Sequence, residues 1–297
     1  MRQLRLLVAL DDRRKLQQAA RGLHMSQSAA SKMLAEIERI AGVRLFERLP
    51  RGVEPTDYGE ILIRRGRSML ADLRHAAREL AGRKAGDIGA VAIGSVATPS
   101  IALVVDAIRE LGAKLDMVEI SLDVGTSPAL VDRLIALEFD FVIARMPDTI
   151  DPRNFDYNDL DQEEGCFVVR AGHPLADRDP VALRDLADLQ WVVEPRGSFM
   201  RQSVEQLFRS HGIAPPRRVI NSTSHILSLA IAAATDAVTP MAIPIVDDVG
   251  DMKRLRRLRV RESLILESYG LVRIKDRPLS PAAEIVFETI KRVHNDR

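Results

Sequence analysis

The spacing of apolar residues changes near residue 90, and this change constrains the fold more than any other feature of the sequence. Before it, apolar residues recur at intervals of three and four, as in helices. After it, short apolar runs typical of strands alternate with helical patterns, which predicts parallel sheets with crossover helices. The segment 82–89, GRKAGDIG, is typical of a hinge between two differently built parts.

Three short helices are predicted in the first 42 residues. Their apolar stripes are Leu4, Leu7 and Val8; Leu16, Ala19, Ala20 and Leu23; and Ala30, Met33, Leu34, Ile37 and Ala41. The third helix follows Ser26, a preferred N-cap residue, and Gly42 ends it. Residues 43–55 contain two prolines and a glycine after apolar anchors, which predicts a short hairpin or wing.

A long helix is predicted from Thr56 and Asp57 to about Arg83. Along it, apolar or small residues alternate spacings of four and three, as in the seam of a coiled coil: Leu62, Gly66, Met69, Leu73, Ala76 and Leu80. Burial against the protein's own body is the competing explanation. Because six positions keep the register, pairing with a second chain is favoured.

Charge is distributed unevenly along the chain. Residues 1–90 contain 18 basic and 11 acidic side chains, a net charge of +7, although the whole chain carries only +1. The remainder is therefore acidic, at −6. A basic N-terminal third on an acidic body suggests a head that binds a polyanion.

The third helix has a polar face opposite its apolar stripe. Gln27, Ser28, Ser31 and Lys32 lie on this face, in the two turns of a recognition helix that reach base edges in the major groove. A solvated amphipathic helix with incidental polar residues is the alternative. Nearby arginines favour DNA binding, namely Arg48 and Arg51 in the wing and Arg64, Arg65 and Arg67 on the long helix.

The stretch LQQAARGLHMSQSAASKMLAEIERIAGVRLFERLPRGVEPTDYGE resembles the signature of the LysR-type transcriptional regulators. It matches their Ala-Ala-x-x-Leu-x-x-Ser-Gln-x-x-x-Ser helix–turn–helix, their Gly-Val-x-Leu-Phe-x-Arg wing and their Thr-x-x-Gly helix entry, in order. The resemblance implies that Gln27, Ser28, Ser31 and Lys32 read DNA, with Ser26 as a phosphate-binding N-cap and Arg51 in the wing. The family often has proline where this chain has Ser28, so the first-turn contact there is expected to differ.

The pattern after residue 90 fits the two-lobed effector domain of this family, which is similar to periplasmic binding proteins. Predicted strands are AVAIGSV, DMVEISLDV, FDFVIARM, CFVVRA, QWVVEP, RRVINS and SYGLVRI; predicted helices are SIALVVDAIREL, PALVDRLIALE, PVALRDLADL, FMRQSVEQLFRSHG, SHILSLAIAAAT and SPAAEIVFETIKRVH. The last strand and helix are expected to rejoin the first sheet.

These patterns together predict an α+β multidomain chain. It would comprise a winged helix–turn–helix in residues 1–58, a dimerising linker helix and hinge in 59–88, and an effector-binding domain in 89–297. Within this domain, lobe 1 would comprise about 89–162 and 268–297, and lobe 2 about 163–267.

A ligand is expected in the cleft between the lobes, where loops lead from strands into helices. The candidate residues are Ser95, Thr98, Ser100, Thr126, Ser127, Arg145, Ser198, Phe199 and Thr223. Ordinary helix caps, core packing and a surface ion pair are the alternatives for these residues. Arg145 could pair with a carboxylate, which suggests a small anionic metabolite as co-inducer.

Catalysis and cofactor binding have little support in the sequence. The six histidines are scattered, with no metal-ligand spacing, and no phosphate loop or nucleophile elbow is present. We therefore predict no enzyme, metal or cofactor. One cysteine, Cys166, no apolar membrane span and no convincing secretory signal predict a cytoplasmic protein.

The favoured function is sequence-specific binding to double-stranded promoter DNA, modulated by the metabolite. By the resemblance, a homo-oligomer that is a dimer of dimers is expected, with RNA polymerase as a further candidate partner and no membrane partner. The alternative is a soluble binding module or enzyme of periplasmic-binding-like fold whose helical head serves only oligomerisation.

Overall fold

A computed structural model describes residues 1–50, 52–85, 89–112, 118–249 and 253–297. The chain divides into an N-terminal unit, made of residues 1–86 with 136–138, and a C-terminal unit, made of residues 87–135 and 139–297. Each unit has its own apolar core. Arg51, one of the predicted DNA-binding residues, lies outside the described residues.

The N-terminal unit begins with three helices, α1 (Arg2–Arg13), α2 (Leu16–Gly22) and α3 (Gln27–Ala41). Ser26 caps α3 through its side chain, and Gly42 ends the helix with a φ of 71°, in the left-handed region that glycine adopts without strain. Both ends of α3 are therefore where the sequence predicts them.

A two-stranded wing follows, formed by β1 (Phe46–Leu49) and β2 (Gly52–Pro55), which pair antiparallel. The long helix α4 spans Asp57–Ala85. Of the predicted seam, Leu62 packs against the core of the unit and Gly66 is buried against α1, whereas four later positions are exposed: Met69, Leu73, Ala76 and Leu80. The first part of α4 thus belongs to the core, and the second part presents an apolar surface.

The C-terminal unit is built on one seven-stranded mixed sheet. Its strands are β3 (Gly89–Ser95), β4 (Val118–Val124), β5 (Phe141–Ala144), β6 (Phe155–Arg170), β9 (Thr239–Ala242), β10 (Leu255–Leu258) and β11 (Leu264–Ile274). The order is β10-β6-β11-β5-β3-β4, with β9 also paired to β6. Within this sheet, β3 pairs in parallel with β4 and with β5. β7 (Trp191–Val193) and β8 (Val219–Asn221) form a separate parallel pair.

Two cores divide the C-terminal unit into lobes. Lobe 1 is built on β3, β4 and β5, and lobe 2 on the far half of β6 with β9 and β10. The strands β6 and β11 run through both lobes side by side. As predicted, the last strand rejoins the first sheet, because β11 pairs antiparallel with β5.

Helices cover the sheet on both lobes. They are α5 (Ala97–Pro99) and α6 (Val105–Leu111), joined through a π-helical turn (Ser100–Val104), then α7 (Ser127–Ile135), α8 (Phe199–Ser210), α9 (His225–Ala234), α10 (Ile243–Val249) and α11 (Pro281–Asn295). No helix of the described part of the chain is long and apolar enough to cross a membrane.

Two segments differ from the sequence predictions. The helix predicted at PVALRDLADL is a single 3₁₀ turn, Leu183–Leu186, because Val181 instead forms a β-bridge with Val260. The strand predicted to begin at Cys166 begins at Phe155, since β11 pairs with the added stretch from Phe155 to Gly165. The parallel sheet predicted for both lobes is a mixed sheet.

Candidate functional site

The helix α3 has one buried face and one exposed face. Ala30 and Ile37 are buried in the core of the N-terminal unit, while Gln27, Ser28 and Lys32 are exposed. Ser31 lies at the edge of the exposed face and is half-buried. The four polar side chains predicted to read DNA therefore lie on the side of α3 that the core does not use.

The start of α3 is fixed by two serines. The Ser26 hydroxyl accepts a hydrogen bond from the Ala29 amide at 3.1 Å, the usual N-cap geometry. The Ser28 hydroxyl lies 3.0 Å from the Ser26 hydroxyl, so one of them donates to the other. Ser28, the departure from the family pattern, is thus part of the cap in this chain.

The turn between α2 and α3 closes with a Schellman motif. The Met25 amide donates to the Ala20 carbonyl at 3.0 Å, and the His24 amide donates to the Arg21 carbonyl at 3.1 Å. His24 takes the left-handed position, with a φ of 53°. This position is usually glycine, so His24 is held there at some conformational cost.

The wing is attached to α3 through Glu38. One carboxylate oxygen of Glu38 accepts hydrogen bonds from the amides of Leu45 at 2.9 Å and Phe46 at 3.2 Å. Arg48 follows on β1 and is exposed. Glu38 would repel phosphate if it were free on the exposed face of α3. Its carboxylate instead positions the basic wing.

The arginines of α4 have different roles. Arg64 and Arg65 are exposed. Arg67, also predicted to contact the DNA backbone, instead forms ion pairs with Asp11 and Asp12 of α1. Since its charge is balanced by two carboxylates, Arg67 holds α4 to α1, and its contact with the DNA backbone stays a prediction.

The Thr-x-x-Gly entry of α4 has a steric and a hydrogen-bonding role. The Thr56 hydroxyl accepts from the Gly59 amide at 3.1 Å and donates to the Arg44 carbonyl at 2.8 Å. A Cβ on Gly59 would lie 3.0 Å from the carbonyl carbon of Leu45 and closer to its oxygen. Glycine at this position lets α4 start directly against the segment that leads into the wing.

The C-terminal unit contains a cleft with a cavity of about 50 Å³. Five of the nine predicted effector residues line it: Thr98, Thr126, Ser127, Arg145 and Phe199. Thr223 lines a smaller neighbouring cavity of about 10 Å³, which shares Glu194, Met200 and His225 with the cleft. Loops distant in sequence are thus brought together, as the βα pattern predicts.

The other three predicted residues are buried serines that do not line the cleft. The Ser95 hydroxyl donates to the Val96 carbonyl at 2.9 Å, and the Ser100 hydroxyl donates to the Ala97 carbonyl at 2.5 Å. Ser198 caps α8 by accepting from the Arg201 amide at 3.2 Å. These side chains form hydrogen bonds at the starts of helices near the cleft and do not line it.

Arg145 is paired within the protein. Its guanidinium donates to Glu163 Oε2 at 2.6 Å and to the Glu267 carbonyl at 2.6 Å, and its backbone amide donates to the Ser127 hydroxyl at 3.0 Å. Arg145 and Glu163 are both buried. The carboxylate that Arg145 meets is therefore that of Glu163, and its charge is already balanced.

Three ionisable side chains of the cleft were not predicted from the sequence: Glu163, Glu194 and His225. Burial lowers the pKa of the His225 imidazole, although the charges of Glu194 and Glu163 raise it. His225 is therefore neutral near pH 7. Glu163 lies in the part of β6 that the sequence did not reveal as a strand, which is why its position in the cleft could not be seen.

The described residues form neither a candidate metal site nor a reactive thiol. No group of three or more His, Cys, Asp or Glu side chains there is arranged to hold a metal ion. Burial raises the pKa of the Cys166 thiol to about 12, so this cysteine is a buried apolar side chain rather than a nucleophile.

Comparison with known proteins identifies the family. Residues 1–60 match the model of the bacterial regulatory helix–turn–helix protein, lysR family, and residues 84–295 match the LysR substrate binding domain. The chain belongs to the LysR family. It is a LysR-type DNA-binding transcriptional regulator with an effector-binding domain.

Relatives of this LysR-type chain are transcriptional regulators. It is 42% identical to the HTH-type transcriptional regulator GbpR of Azospirillum brasilense over 98% of this chain and 85% of that protein. It is 43% identical to GbpR of Rhizobium radiobacter over 82% of this chain and 81% of that protein. Full-length CbnR, solved in complex with its target DNA, has the same fold, with a TM-score of 0.61 and 21% identity over 98% of this chain and 99% of CbnR.

Proposed function

We propose that this regulator reads promoter DNA with the first two turns of α3 and that a small molecule in the cleft changes how tightly it binds. The reading residues would be Gln27, Ser28, Ser31 and Lys32. The single observation that carries this proposal is the division of α3: Ala30 and Ile37 are buried, whereas Gln27 and Lys32 face solvent. Gln and Lys offer hydrogen bonds to purine edges in the major groove.

Basic side chains around α3 would bind the DNA backbone. Arg48 of the wing and Arg64 and Arg65 of α4 are exposed, and their charge is available for phosphate. Ser26 and Arg51 complete the proposed DNA contacts. Because phosphate contacts release counterions, affinity should fall steeply as salt rises.

We assign residues 1–58 to DNA binding, 59–88 to dimerisation and 89–297 to effector binding. Met69, Leu73 and Leu80 are 54%, 47% and 65% exposed, which gives α4 an apolar surface suited to a second chain. A homo-oligomer, a dimer of dimers, would then present paired heads to two half-sites. RNA polymerase is a further proposed partner.

The effector would contact Thr98, Thr126, Ser127, Phe199 and Thr223, with Arg145 at the floor of the cleft. Ser95, Ser100 and Ser198 would act indirectly, through the helix starts that they stabilise. Because its relatives are regulators, we propose that the chain is not an enzyme. It would act in the cytoplasm, where promoter DNA is found.

A binding experiment tests the reading helix. Full-length protein is titrated against fluorescent DNA from upstream of its own gene and against an unrelated duplex, at several salt concentrations. Lys32→Ala should lower the preference for the upstream DNA by about 1–3 kcal/mol. Arg39→Ala is the matched control, because Arg39 lies on the same helix but pairs with Glu36. Equal effects of the two substitutions would refute the assignment.

A further inference from the structure

The cleft contains a buried carboxylate oxygen without a partner. Glu163 is 7% exposed, and its Oε2 atom accepts from Arg145. Its Oε1 atom has no hydrogen-bond partner among the described residues, and Glu163 lines the cleft. A buried acceptor that stays unpaired is unfavourable, so this atom offers a place for a donor from another molecule.

The charges that line the cleft are predominantly negative. Glu163 and Glu194 each contribute a carboxylate, Arg145 contributes one guanidinium, and His225 is neutral near pH 7. Arg145 is already satisfied by Glu163 and the Glu267 carbonyl. The described lining therefore carries a net charge of about −1 and has no unpaired cation for an incoming anion.

From this geometry we propose that the effector carries no net negative charge and donates a hydrogen bond, from a hydroxyl or an amino group, to Glu163 Oε1. The inference rests on the proposed function, since it takes the cleft to be the effector site. It replaces the anionic metabolite expected from Arg145 and the helix N-termini. A carboxylate ligand would approach two carboxylates and leave Oε1 unpaired, whereas a donor would satisfy that atom without breaking the Arg145–Glu163 ion pair.

The charge of the effector can be tested before its identity is known. A small-molecule extract of the source cells is separated by ion exchange into anionic, neutral and cationic fractions. Each fraction is added to the full-length protein, and thermal unfolding is followed by fluorescence of Trp191, which is buried in lobe 2. The neutral or the cationic fraction should raise the midpoint by about 2–4 °C, and which of the two does so distinguishes a hydroxyl from an amino donor.

The outcomes separate this inference from the proposed function. A rise with the anionic fraction alone would overturn the inference and leave the cleft as the effector site. No rise with any fraction would contradict the proposed effector site itself.

Variants of Glu163 test whether its carboxylate sets the preference. Glu163→Gln removes one negative charge and leaves Arg145 unbalanced, so the response to the active fraction should fall about tenfold and a response to anions should appear. A merely structural role would not change the preferred charge. Glu164→Gln is the matched control, since the neighbouring Glu164 is exposed and does not line the cleft, and it should respond as the original protein does.

A double variant covers the case in which Glu163→Gln alone fails to fold. Arg145→Gln/Glu163→Gln removes both charges together and avoids an unpaired buried guanidinium. It should lose the response to the neutral or cationic fraction without gaining one to anions. A double variant that responds as the original protein does would overturn the inference.

Discussion

Substitution of Gly59 by alanine should destabilise the N-terminal unit, whereas the same substitution at Gly66, further along α4, should stabilise it. Both glycines are helical, so alanine gains up to about 1 kcal/mol of helix propensity at either position. The difference lies in what the new methyl group meets. At Gly59 it meets the backbone of Leu45; at Gly66 it lies 3.4 Å from Leu4 Cδ2 and 4.0 Å from Val8 Cγ2, which are ordinary contacts.

The magnitude follows from the backbone at Leu45. Its carbonyl oxygen accepts a hydrogen bond from the Thr56 amide at 2.9 Å, so a methyl group that displaces the oxygen also weakens this bond. Overpacking costs about 1–3 kcal/mol, and a lost backbone hydrogen bond costs about 1 kcal/mol more. After the gain in propensity, Gly59→Ala should lose about 1–3 kcal/mol, and Gly66→Ala should gain about 0.5–1 kcal/mol.

Hydrogen exchange of the full-length protein measures both effects. Peptides from residues 1–85 should exchange up to about a hundredfold faster in Gly59→Ala than in Gly66→Ala, because about 3 kcal/mol separates the two variants. Trp191, the only tryptophan, lies in the core of lobe 2, so its fluorescence reports the C-terminal unit and should not change. A Gly59→Ala protein as protected as Gly66→Ala would refute the steric explanation.

Three further predictions concern single side chains. His24→Gly should stabilise the N-terminal unit by up to about 1 kcal/mol, because glycine takes the left-handed position without strain. His24→Ala should not stabilise the unit, and denaturant unfolding followed by circular dichroism measures both variants. Ser28→Pro should leave the unit folded, because proline is tolerated in the first helical turn and the cap hydrogen bond uses the Ala29 amide. Ser26→Ala should cost about 1 kcal/mol of stability in the same assay, because it removes the cap. A severe loss of stability in Ser28→Pro would contradict this explanation. The stability of the C-terminal unit should decrease as pH falls below about 6.5, because burial lowers the pKa of His225 in the folded state and the unfolded chain therefore binds the proton first. His225→Gln should reduce the pH dependence of stability measured by Trp191 fluorescence. The dependence that remains should come from His173, because burial lowers the pKa of this residue too. An unchanged pH dependence would show that His225 does not contribute.

The N-terminal unit could be predicted in most of its parts because its signals are local. The Ser26 cap, the left-handed Gly42 and the start of α4 at Asp57 each depend on a few consecutive residues. Whether the charge of Arg67 is paired within the protein depends on Asp11 and Asp12, which are distant in sequence. Sequence spacing alone could not separate an arginine free for DNA from one that is already paired.

The C-terminal unit was harder to predict because its strands depend on partners. Between Phe155 and Gly165, β6 carries mostly polar side chains, and the only buried ones are Phe155 and Glu163. Pairing with β11 makes this stretch a strand, and pairing is a tertiary property. The loops of the cleft could be predicted from the βα pattern, but the partner of Arg145 could not, because that partner lies on the hidden part of β6.

The pairing of β6 with β11 also determines how lobe 2 is connected. The chain enters lobe 2 along β6 and leaves it along β11, and at that boundary Glu163 lies opposite Leu266. Residues paired in this way are about 5 Å apart, so lobe 2 is an insertion whose two ends nearly touch. Recombination between related genes can exchange such a segment as a whole, because its two boundaries lie next to each other in the structure. Ligand preference could then diverge by recombination while the DNA-reading unit and lobe 1 keep their own sequences.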